Sequence, residues 1–490
     1  MKDYEFYLNK IGEIGYVDQI RSSIVYVSGL PTVKPSEIIV FENGVVGQVL
    51  SIGQYSIEVL TFSKTQLSVG LKAVRTDEFL EIPASNGLLG RVINSLCQPM
   101  DNSGEISFDK GMSVEASPLG ISARRKITLP LETGVSLVDL LIPLGKGQRE
   151  LVIGDRKTGK TSFLRQAVLN QSRKGVICIY AAIGKKMMDI IDIKKYFDDQ
   201  KASDNIIIVA SNSQEPAGVI FLTPYTAMTI AEYFRDNGQD VLVVLDDLTT
   251  HAKFYREISL LARRFPGRES YPGDIFYIHS RLLERAGNFV VKDNKQASIT
   301  CLPVAESLEG DITGYIQTNI MSMVDGHIFF DNDLFTKGRR PAINPFLSVT
   351  RVGNQTQSQI RKDIRREIIT VLNLFEKSEN FVHFGSTLIE STKLSLATGE
   401  RILRFFFQES NQMIDSNCQS ILFGMVWLNL WSDPDYSKMR KDLIYIGSLY
   451  KSDQSVSKLF DELINASTGF NDLLSKMEDK KEVFLKFITN

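Results

Sequence analysis

The distribution of apolar and polar residues changes twice along the chain, which predicts three successive regions. In residues 11–75, short runs rich in β-branched residues alternate with turns, and Asn43-Gly44 is a strong hairpin signal. Closely spaced short strands of this kind predict a small barrel or sandwich. The predicted strands lie at residues 24–27, 38–41, 45–50 and 56–60.

The second region, residues 76–355, alternates strands with helices, which is typical of a parallel α/β sheet. Continuous apolar runs at 176–181, 206–210, 241–245 and 299–304 fit strands that are covered on both faces, and residues 224–237 fit a helix between them. In residues 356–490 the apolar period becomes helical, notably at 360–377, at 386–407 and after residue 443. This third region predicts a helical bundle whose aromatic residues form its core.

A phosphate-binding signature lies in the second region. Residues 154–161 read G-D-R-K-T-G-K-T and fit the P-loop pattern, with a strand-like run before them and a helix-like run after them. Lys160 is expected to reach the β- and γ-phosphates, and Thr161 to bind Mg²⁺. The predicted ATP-binding residues of this loop are Gly154, Asp155, Arg156, Lys157, Thr158, Gly159, Lys160 and Thr161.

The apolar strand at 241–245 ends in Asp246, which matches the acidic end of a Walker B strand. Asp246 is therefore predicted to hold Mg²⁺ through a water molecule. Hydrolysis also needs a base that orients the attacking water, commonly a Glu after the strand that follows the P-loop helix. Lys185 stands at that place, and an ammonium cannot accept a proton from water. The sequence thus predicts nucleotide binding with little or no hydrolysis.

Composition narrows the function classes further. The 490 residues include 56 basic and 58 acidic ones, a balance that argues against a general binder of nucleic acid or anionic membranes. The 4 cysteines are far apart, so a zinc or redox motif is not expected. Residues 1–10 are charged, and no apolar run is long enough to span a membrane. We therefore expect a soluble, cytosolic-facing protein that only partners hold at a membrane.

With these motifs in place, the whole chain resembles the alpha subunits of F-type ATP synthases. The residues that carry this resemblance include the P-loop, D-D-L at 246–248, R-R-F-P-G-R-E at 263–269, Y-P-G-D at 271–274, H-S-R-L-L-E-R at 279–285, R-P-A-I-N-P at 340–345 and S-V-T-R-V-G at 348–353. The short start, with S-G-L-P at 28–31, looks like the divergent second-copy synthases of some bacteria, several of which are linked to sodium transport.

The resemblance implies a fold and a set of partners. The fold is a six-stranded β-barrel (1–75), a RecA-like nucleotide-binding domain (76–355) and a helical domain (356–490). The partners are beta subunits in an alternating hexameric ring, a gamma shaft, and a peripheral stalk with a delta subunit. The complex makes ATP from ADP and phosphate with a proton or sodium gradient, at the cytoplasmic face of a bacterial plasma membrane.

The resemblance also implies individual residue roles. Alpha sites hold ATP and Mg²⁺ without turnover, and Arg351 matches the arginine finger that reaches the neighbouring beta site. Phe335 and Arg340 match positions near the base and ribose, and Gln408 matches a residue that contacts adenine. Lys157 and Lys185 depart from the family, which usually has Gln at both positions. These lysines suggest the hypothesis of an unusually tight nucleotide site.

Two other interpretations of the sequence compete with that of an ATP synthase alpha subunit. A self-sufficient ring ATPase, such as a secretion or RNA-translocating motor, should keep a Glu near position 185, and this chain has Lys185 there. An RNA translocase should also show a basic, aromatic-lined N-terminal domain, which the sequence does not have. A purely structural scaffold should have lost its nucleotide site, whereas Lys160, Thr161 and Asp246 all persist.

Overall fold

A computed structural model describes residues 2–383, 390–431 and 436–488. Its strands are β1 (Ile14–Arg21), β2 (Ile24–Ser28), β3 (Glu37–Phe41), β4 (Val46–Ile52), β5 (Ile57–Thr61), β6 (Lys72–Phe79), β7 (Glu81–Ala84), β8 (Val92–Ile93), β9 (Lys110–Ser113), β10 (Pro130–Leu131), β11 (Leu144–Gly145), β12 (Glu150–Gly154), β13 (Ile177–Lys185), β14 (Ile206–Asn212), β15 (Val241–Asp246), β16 (Gly287–Val290), β17 (Gln296–Glu306), β18 (Gly326–Phe330) and β19 (Val349–Thr350).

Its helices are α1 (Tyr4–Ile11), α2 (Ser136–Leu141), α3 (Lys160–Arg173), α4 (Met187–Asp199), α5 (Ala217–Asp236), α6 (Leu248–Leu261), α7 (Ile275–Leu283), α8 (Tyr315–Met323), α9 (Asn332–Thr336), α10 (Gln359–His383), α11 (Glu390–Phe405), α12 (Ser416–Trp427), α13 (Tyr436–Ser452), α14 (Gln454–Ala466), α15 (Phe470–Asp479) and α16 (Lys481–Leu485). The start of the helix predicted at 386–407 lies outside the described residues.

The N-terminal strands close into a six-stranded barrel in the order β1-β2-β5-β4-β3-β6. Its interior is filled by apolar side chains that alternate along the strands, such as Val25, Val27, Ile39, Phe41 and Val59. The predicted hairpin joins β3 to β4, where the Gly44 N–H donates to the Phe41 carbonyl at 2.8 Å. Closure leaves no exposed strand edge, so the barrel prediction is confirmed over its sandwich alternative.

The chain divides into two compact units. Unit 1 comprises Met1–Lys126, Ser172–Ser307 and Asp311–Val324. Besides the barrel it holds parallel strands in the order β17-β15-β13-β14-β8, with β16 antiparallel to β17. These strands include the four predicted apolar runs, and their side chains are buried almost throughout. An apolar run without alternation therefore did signal a strand that is covered on both faces.

Unit 2 comprises Ile127–Gln171, Leu308–Gly310 and Asp325–Asn490. In it β12 pairs in parallel with β18, and β19 pairs antiparallel with β18. Helices α10 to α16 form the predicted helical region around an aromatic core. The Phe423 ring lies 5.7 Å from Phe405, 5.8 Å from Trp427 and 5.6 Å from Phe470, measured between ring centroids.

Helix α5 differs from its prediction. The sequence places a helix start at Pro224, but α5 begins at Ala217 and Pro224 lies inside it. A proline inside a helix removes one backbone hydrogen bond and costs about 3 kcal/mol. Burial of almost the whole of α5 offsets that cost, because 16 of its 20 residues are buried.

The four cysteines, Cys97, Cys178, Cys301 and Cys418, are buried and form no disulfide bonds. Among the described residues, no helix combines the length and the apolar character that a membrane crossing requires. The domain boundaries at residues 75 and 355 stay predictions.

Candidate functional site

The P-loop connects the end of β12 to the start of α3, as its motif requires. Gly154 has a φ of +156°, and a Cβ atom there would lie 2.4 Å from the Phe330 carbonyl oxygen. Only glycine fits this combination of backbone conformation and close approach. Lys157 and Gly159 also have positive φ values, of 63° and 103°. The chain thus curls before α3 begins, in the manner of a phosphate-binding loop.

Side chains of the P-loop form hydrogen bonds with the backbone of the same loop. Lys160 is 8% exposed, and its Nζ donates to the carbonyl oxygens of Gly154 at 2.7 Å and Asp155 at 2.5 Å. The Thr158 hydroxyl donates to the same Asp155 carbonyl at 2.7 Å. The Asp155 carboxylate accepts from the Gly310 N–H at 3.0 Å, which anchors the loop to a second segment of unit 2.

The P-loop carries exposed positive charge next to a helix N-terminus. The side chains of Arg156, Lys157 and Thr161 are exposed, and the 14-residue helix α3 begins at Lys160. The macrodipole and the first N–H groups of a helix of this length favour an anion at that end. The eight residues predicted to bind ATP thus form one continuous cationic loop.

Three residues predicted to surround the base and ribose also lie in unit 2. The guanidinium carbon of Arg340 lies 3.7 Å from the Phe335 ring centroid, and Arg340 donates to the Phe335 carbonyl at 2.9 Å. The Gln408 N–H donates to the Arg340 carbonyl at 2.8 Å. The Gln408 side chain is 6% exposed and bonds the backbone of Gly134 and Ser136. Its amide thus supports the start of α2, and its contact with adenine stays a prediction.

In unit 1, Asp246 and Asp247 stand at the carboxyl end of β15, beside β13. A bulge in β13 after Ala182 and a positive φ at Gly184 turn the end of that strand and present Lys185 to the carboxylates. The Lys185 Nζ lies 2.7 Å from Asp246 Oδ1 and 3.1 Å from Asp247 Oδ2. The side chains of the two aspartates are 6% and 4% exposed.

The two aspartates keep the Lys185 side chain protonated. Burial alone lowers the pKa of Lys185, but the two aspartate charges and their hydrogen bonds outweigh burial and raise that pKa above its usual range. Lys185 is therefore a permanent cation at neutral pH. The sequence has no carboxylate at position 185. In the structure, the Lys185 ammonium at that position binds the carboxylates of Asp246 and Asp247.

The donor set around Asp246 does not fit a magnesium site. Its Oδ1 is bound by Lys185, and its Oδ2 accepts from the Tyr180 hydroxyl at 2.7 Å. A hydrated Mg²⁺ needs carboxylate oxygens that are open to its waters. In the part of the chain that is described, no group of three or more His, Cys, Asp or Glu side chains is arranged for a metal. Both carboxylate oxygens of Asp246 are thus already hydrogen-bonded within the chain.

Arg351 directly follows β19 and has an exposed side chain. Its backbone N–H donates to the Asp325 carbonyl at 3.1 Å. The Asp325 carboxylate in turn binds the Arg149 guanidinium at 3.1 Å and the Arg149 N–H at 2.9 Å. Burial raises the pKa of the nearby Glu150 carboxyl well above its usual range. The main chain under Arg351 is thus fixed while its guanidinium faces outward.

Sequence reasoning did not single out Tyr180, and it noted Asp325 as part of the family resemblance without assigning it a role. Tyr180 is fully buried in β13, where its hydroxyl needs a partner, and Asp246 is that partner. A tyrosine within an apolar strand next to an acid-ended strand was the available signal. Asp325 belongs to the D-G pair at 325–326, but nothing in the sequence connects it with Arg149.

The barrel, the parallel strands and the curled P-loop together define a P-loop nucleotide-binding protein. Residues 134–350 match the nucleotide-binding domain of the ATP synthase alpha/beta family. The ATP synthase subunit alpha of Mycoplasma capricolum is 40% identical over 487 residues, which cover 98% of this chain and 91% of that protein. The subunit alpha of Rickettsia bellii is 41% identical over 410 residues, covering 82% and 80%. That of Mycoplasma mycoides is 38% identical, covering 98% and 91%.

The chain belongs to the family of ATP synthase alpha subunits, because identity near 40% extends over almost its whole length. The family resemblance that the sequence motifs indicated is thereby confirmed.

Proposed function

We propose that this chain is a nucleotide-holding, non-catalytic alpha subunit of a rotary ATP synthase. The observation that carries the proposal is Lys185, which stands where a hydrolytic site needs a carboxylate and is paired with Asp246. An ammonium with a raised pKa cannot act as a general base. The site therefore retains its nucleotide and does not hydrolyse it.

The P-loop is the proposed ATP site, in which Lys160 leaves its own loop carbonyls for the β- and γ-phosphates. Phe335 and Arg340 are proposed to lie beside the base and ribose of ATP. Gln408 is proposed to hold Arg340 in place through its backbone hydrogen bond. The tight backbone curl at Gly154 and the positive end of α3 support this assignment.

Arg351 is proposed to act outside its own nucleotide site, as the arginine finger of a neighbouring beta subunit. Its exposed guanidinium on a fixed main chain suits this role, since a finger must project from a rigid base. Charge placed against a developing γ-phosphate accelerates phosphoryl transfer by about 10³-fold or more.

The proposed partners are beta subunits that alternate with this chain in a hexameric ring, a gamma shaft, and a peripheral stalk with a delta subunit. The three domains are 1–75, 76–355 and 356–490. The complex would stand at the cytoplasmic face of a bacterial plasma membrane. This chain would be connected to the membrane only through the sector that translocates protons or sodium ions. No nucleic acid partner is proposed.

Co-purification from the native source tests the proposal. A mixed ring of this chain with a second P-loop chain is expected, in which the partner carries a Glu where this chain has Lys185. The isolated chain should bind ATP but show no steady hydrolysis. A homohexamer with robust ATPase activity would overturn the proposal and favour the self-sufficient motor.

A further inference from the structure

A cavity in unit 2 lies where two helices begin. Its volume is about 210 Å³. The lining includes residues from both helix starts, Gln357 and Ser358 before α10 and Ser416 and Asn417 in α12. This volume is below the roughly 300 Å³ of the smallest pockets for drug-sized organic ligands, and several times the about 30 Å³ that one water molecule occupies. The cavity therefore suits a small ion.

Both helix starts favour a negative charge in the cavity. Helix α10 has 25 residues and α12 has 12, and the first N–H groups of each have no acceptor within their own helix. The N-cap residue of α12, Asp415, makes no side-chain hydrogen bond to that helix start, and its carboxylate lies 3.8 Å from the Lys451 ammonium. The macrodipole adds about half a positive charge at each start. The main chain thus supplies positive potential from two directions.

Arg361, which also lines the cavity, adds a full positive charge with unused donors. Its Nη2 donates to the Asp139 carbonyl oxygen at 2.8 Å and to Gln419 Oε1 at 3.2 Å. Its Nε and Nη1 are buried and have no hydrogen-bond partner among the described residues. A buried donor without an acceptor is costly, and more so when it is charged. An acceptor from outside the chain would remove that cost.

The acids near Arg361 do not supply that acceptor. The Asp139 carboxylate is held by other donors of the chain, among them the Thr133 N–H and hydroxyl at 2.7 Å and the Gly134 N–H at 2.9 Å. Burial lowers the pKa of Arg361, and the attraction of Asp139 and Glu132 does not make up for it. The guanidinium nevertheless stays charged, because arginine keeps its proton in proteins. Arg361 is thus a buried cation that lacks counter-charge.

We propose that this cavity is a binding site for a small tetrahedral oxyanion, with inorganic phosphate as its ligand. Arg361 supplies charge-assisted hydrogen bonds, and the starts of α10 and α12 supply positive potential. A ligand with several acceptor oxygens suits donors that come from different sides of a cavity. The bound anion compensates Arg361 and joins the two helix starts, so it stabilises unit 2. The site makes no use of the P-loop, and its test does not depend on the proposed nucleotide site.

Equilibrium dialysis of the full-length chain with radiolabelled inorganic phosphate tests the proposal. Because a P-loop also attracts phosphate, every variant is made in a Lys160→Ala background. We expect saturable binding in that background, and Arg361→Gln should weaken it by about tenfold or more. Arg366→Gln is the matched control, because Arg366 lies on the same helix with a side chain that is 70% exposed. It should bind phosphate as the background does.

Ser416→Asp is a second variant, needed because Arg361→Gln also removes two hydrogen bonds and can unfold the chain. A carboxylate at the first position of α12 is favourable for the helix, so the chain should stay folded, which circular dichroism checks. Its charge should weaken phosphate binding by about tenfold or more. Unchanged phosphate binding in folded Ser416→Asp would overturn the proposal.

Crystals soaked in selenate, a tetrahedral dianion, locate the site directly. We expect an anomalous peak beside the Arg361 guanidinium. Ordered water alone at that place would overturn the proposal. A selenate peak without phosphate binding in solution would indicate an adventitious ion only and would overturn it as well.

Discussion

The backbone N–H of Arg351 donates to the carbonyl oxygen of Asp325 at 3.1 Å. The Asp325 carboxylate is held in turn by Arg149, so the strand end that bears Arg351 is anchored by an ion pair. The Arg351 side chain itself is exposed. This combination of a fixed base and an outward guanidinium yields the first prediction.

Arg351→Ala should leave ring assembly and nucleotide binding by this chain intact, yet lower ATP turnover of the mixed ring by about 10³-fold or more. Steady-state hydrolysis by the reconstituted complex measures this effect. Arg366→Ala is the control, because Arg366 is 70% exposed and is not assigned to a site. Turnover near that of the wild type would remove Arg351 from the proposed mechanism.

Lys160→Ala should weaken ATP binding to the isolated chain by about 100-fold or more, because the ammonium that is proposed to bind the β- and γ-phosphates is lost. Turnover at the beta sites should decline far less. Binding of a fluorescent ATP analogue to the full chain measures the first effect, with Lys458→Ala as the surface control. Equal affinities of the two variants would contradict the P-loop assignment.

Gly154→Ala should destabilise unit 2 by about 3 kcal/mol or more, because an added Cβ would lie 2.4 Å from the Phe330 carbonyl oxygen. Gly338→Ala is a matched control in the same unit, with a positive φ of 80° and no atom within 4 Å of the added Cβ. It should cost about 1 kcal/mol, the strain of the left-handed backbone alone. Urea midpoints of the two variants would be compared, and similar values would contradict the steric argument.

A buried histidine pair predicts acid sensitivity of unit 1. His251 Nε2 lies 3.1 Å from the Phe221 carbonyl, so it donates there, and its Nδ1 accepts from His279 Nε2 at 3.2 Å. Burial lowers the pKa of His251 to about 4 and lowers that of His279 as well. Both rings therefore fold in the neutral form.

The sign of the pH effect follows from linkage. Below pH 6.5 the unfolded chain protonates His251 while the folded chain does not, so stability is present above that pH and falls as the pH drops toward 4. The loss from His251 alone should reach about 3 kcal/mol. Urea midpoints between pH 4 and 8 measure it. The double variant His251→Gln/His279→Gln should show a flatter profile, and an unchanged profile would contradict the assignment.

Local patterns in the sequence predicted most of the architecture. Continuous apolar runs located β13, β14, β15 and β17, and Asn43-Gly44 located the β3–β4 hairpin, because both signals depend only on neighbouring residues. The start of α5 was predicted wrongly at Pro224. There the burial of a whole helix in the tertiary fold outweighed the local preference of proline for a first turn.

For the candidate site, too, some features follow from the sequence and others only from the tertiary structure. The sequence by itself determined that a P-loop is present, that Asp246 ends a strand and that Lys185 replaces a base, since each is a matter of residue type and spacing. Only the tertiary structure decided that Lys185 binds Asp246 and Asp247, and that Tyr180 completes their hydrogen bonds. Those partners come from two different strands, and their contact depends on strand register and on a bulge, which no local pattern encodes.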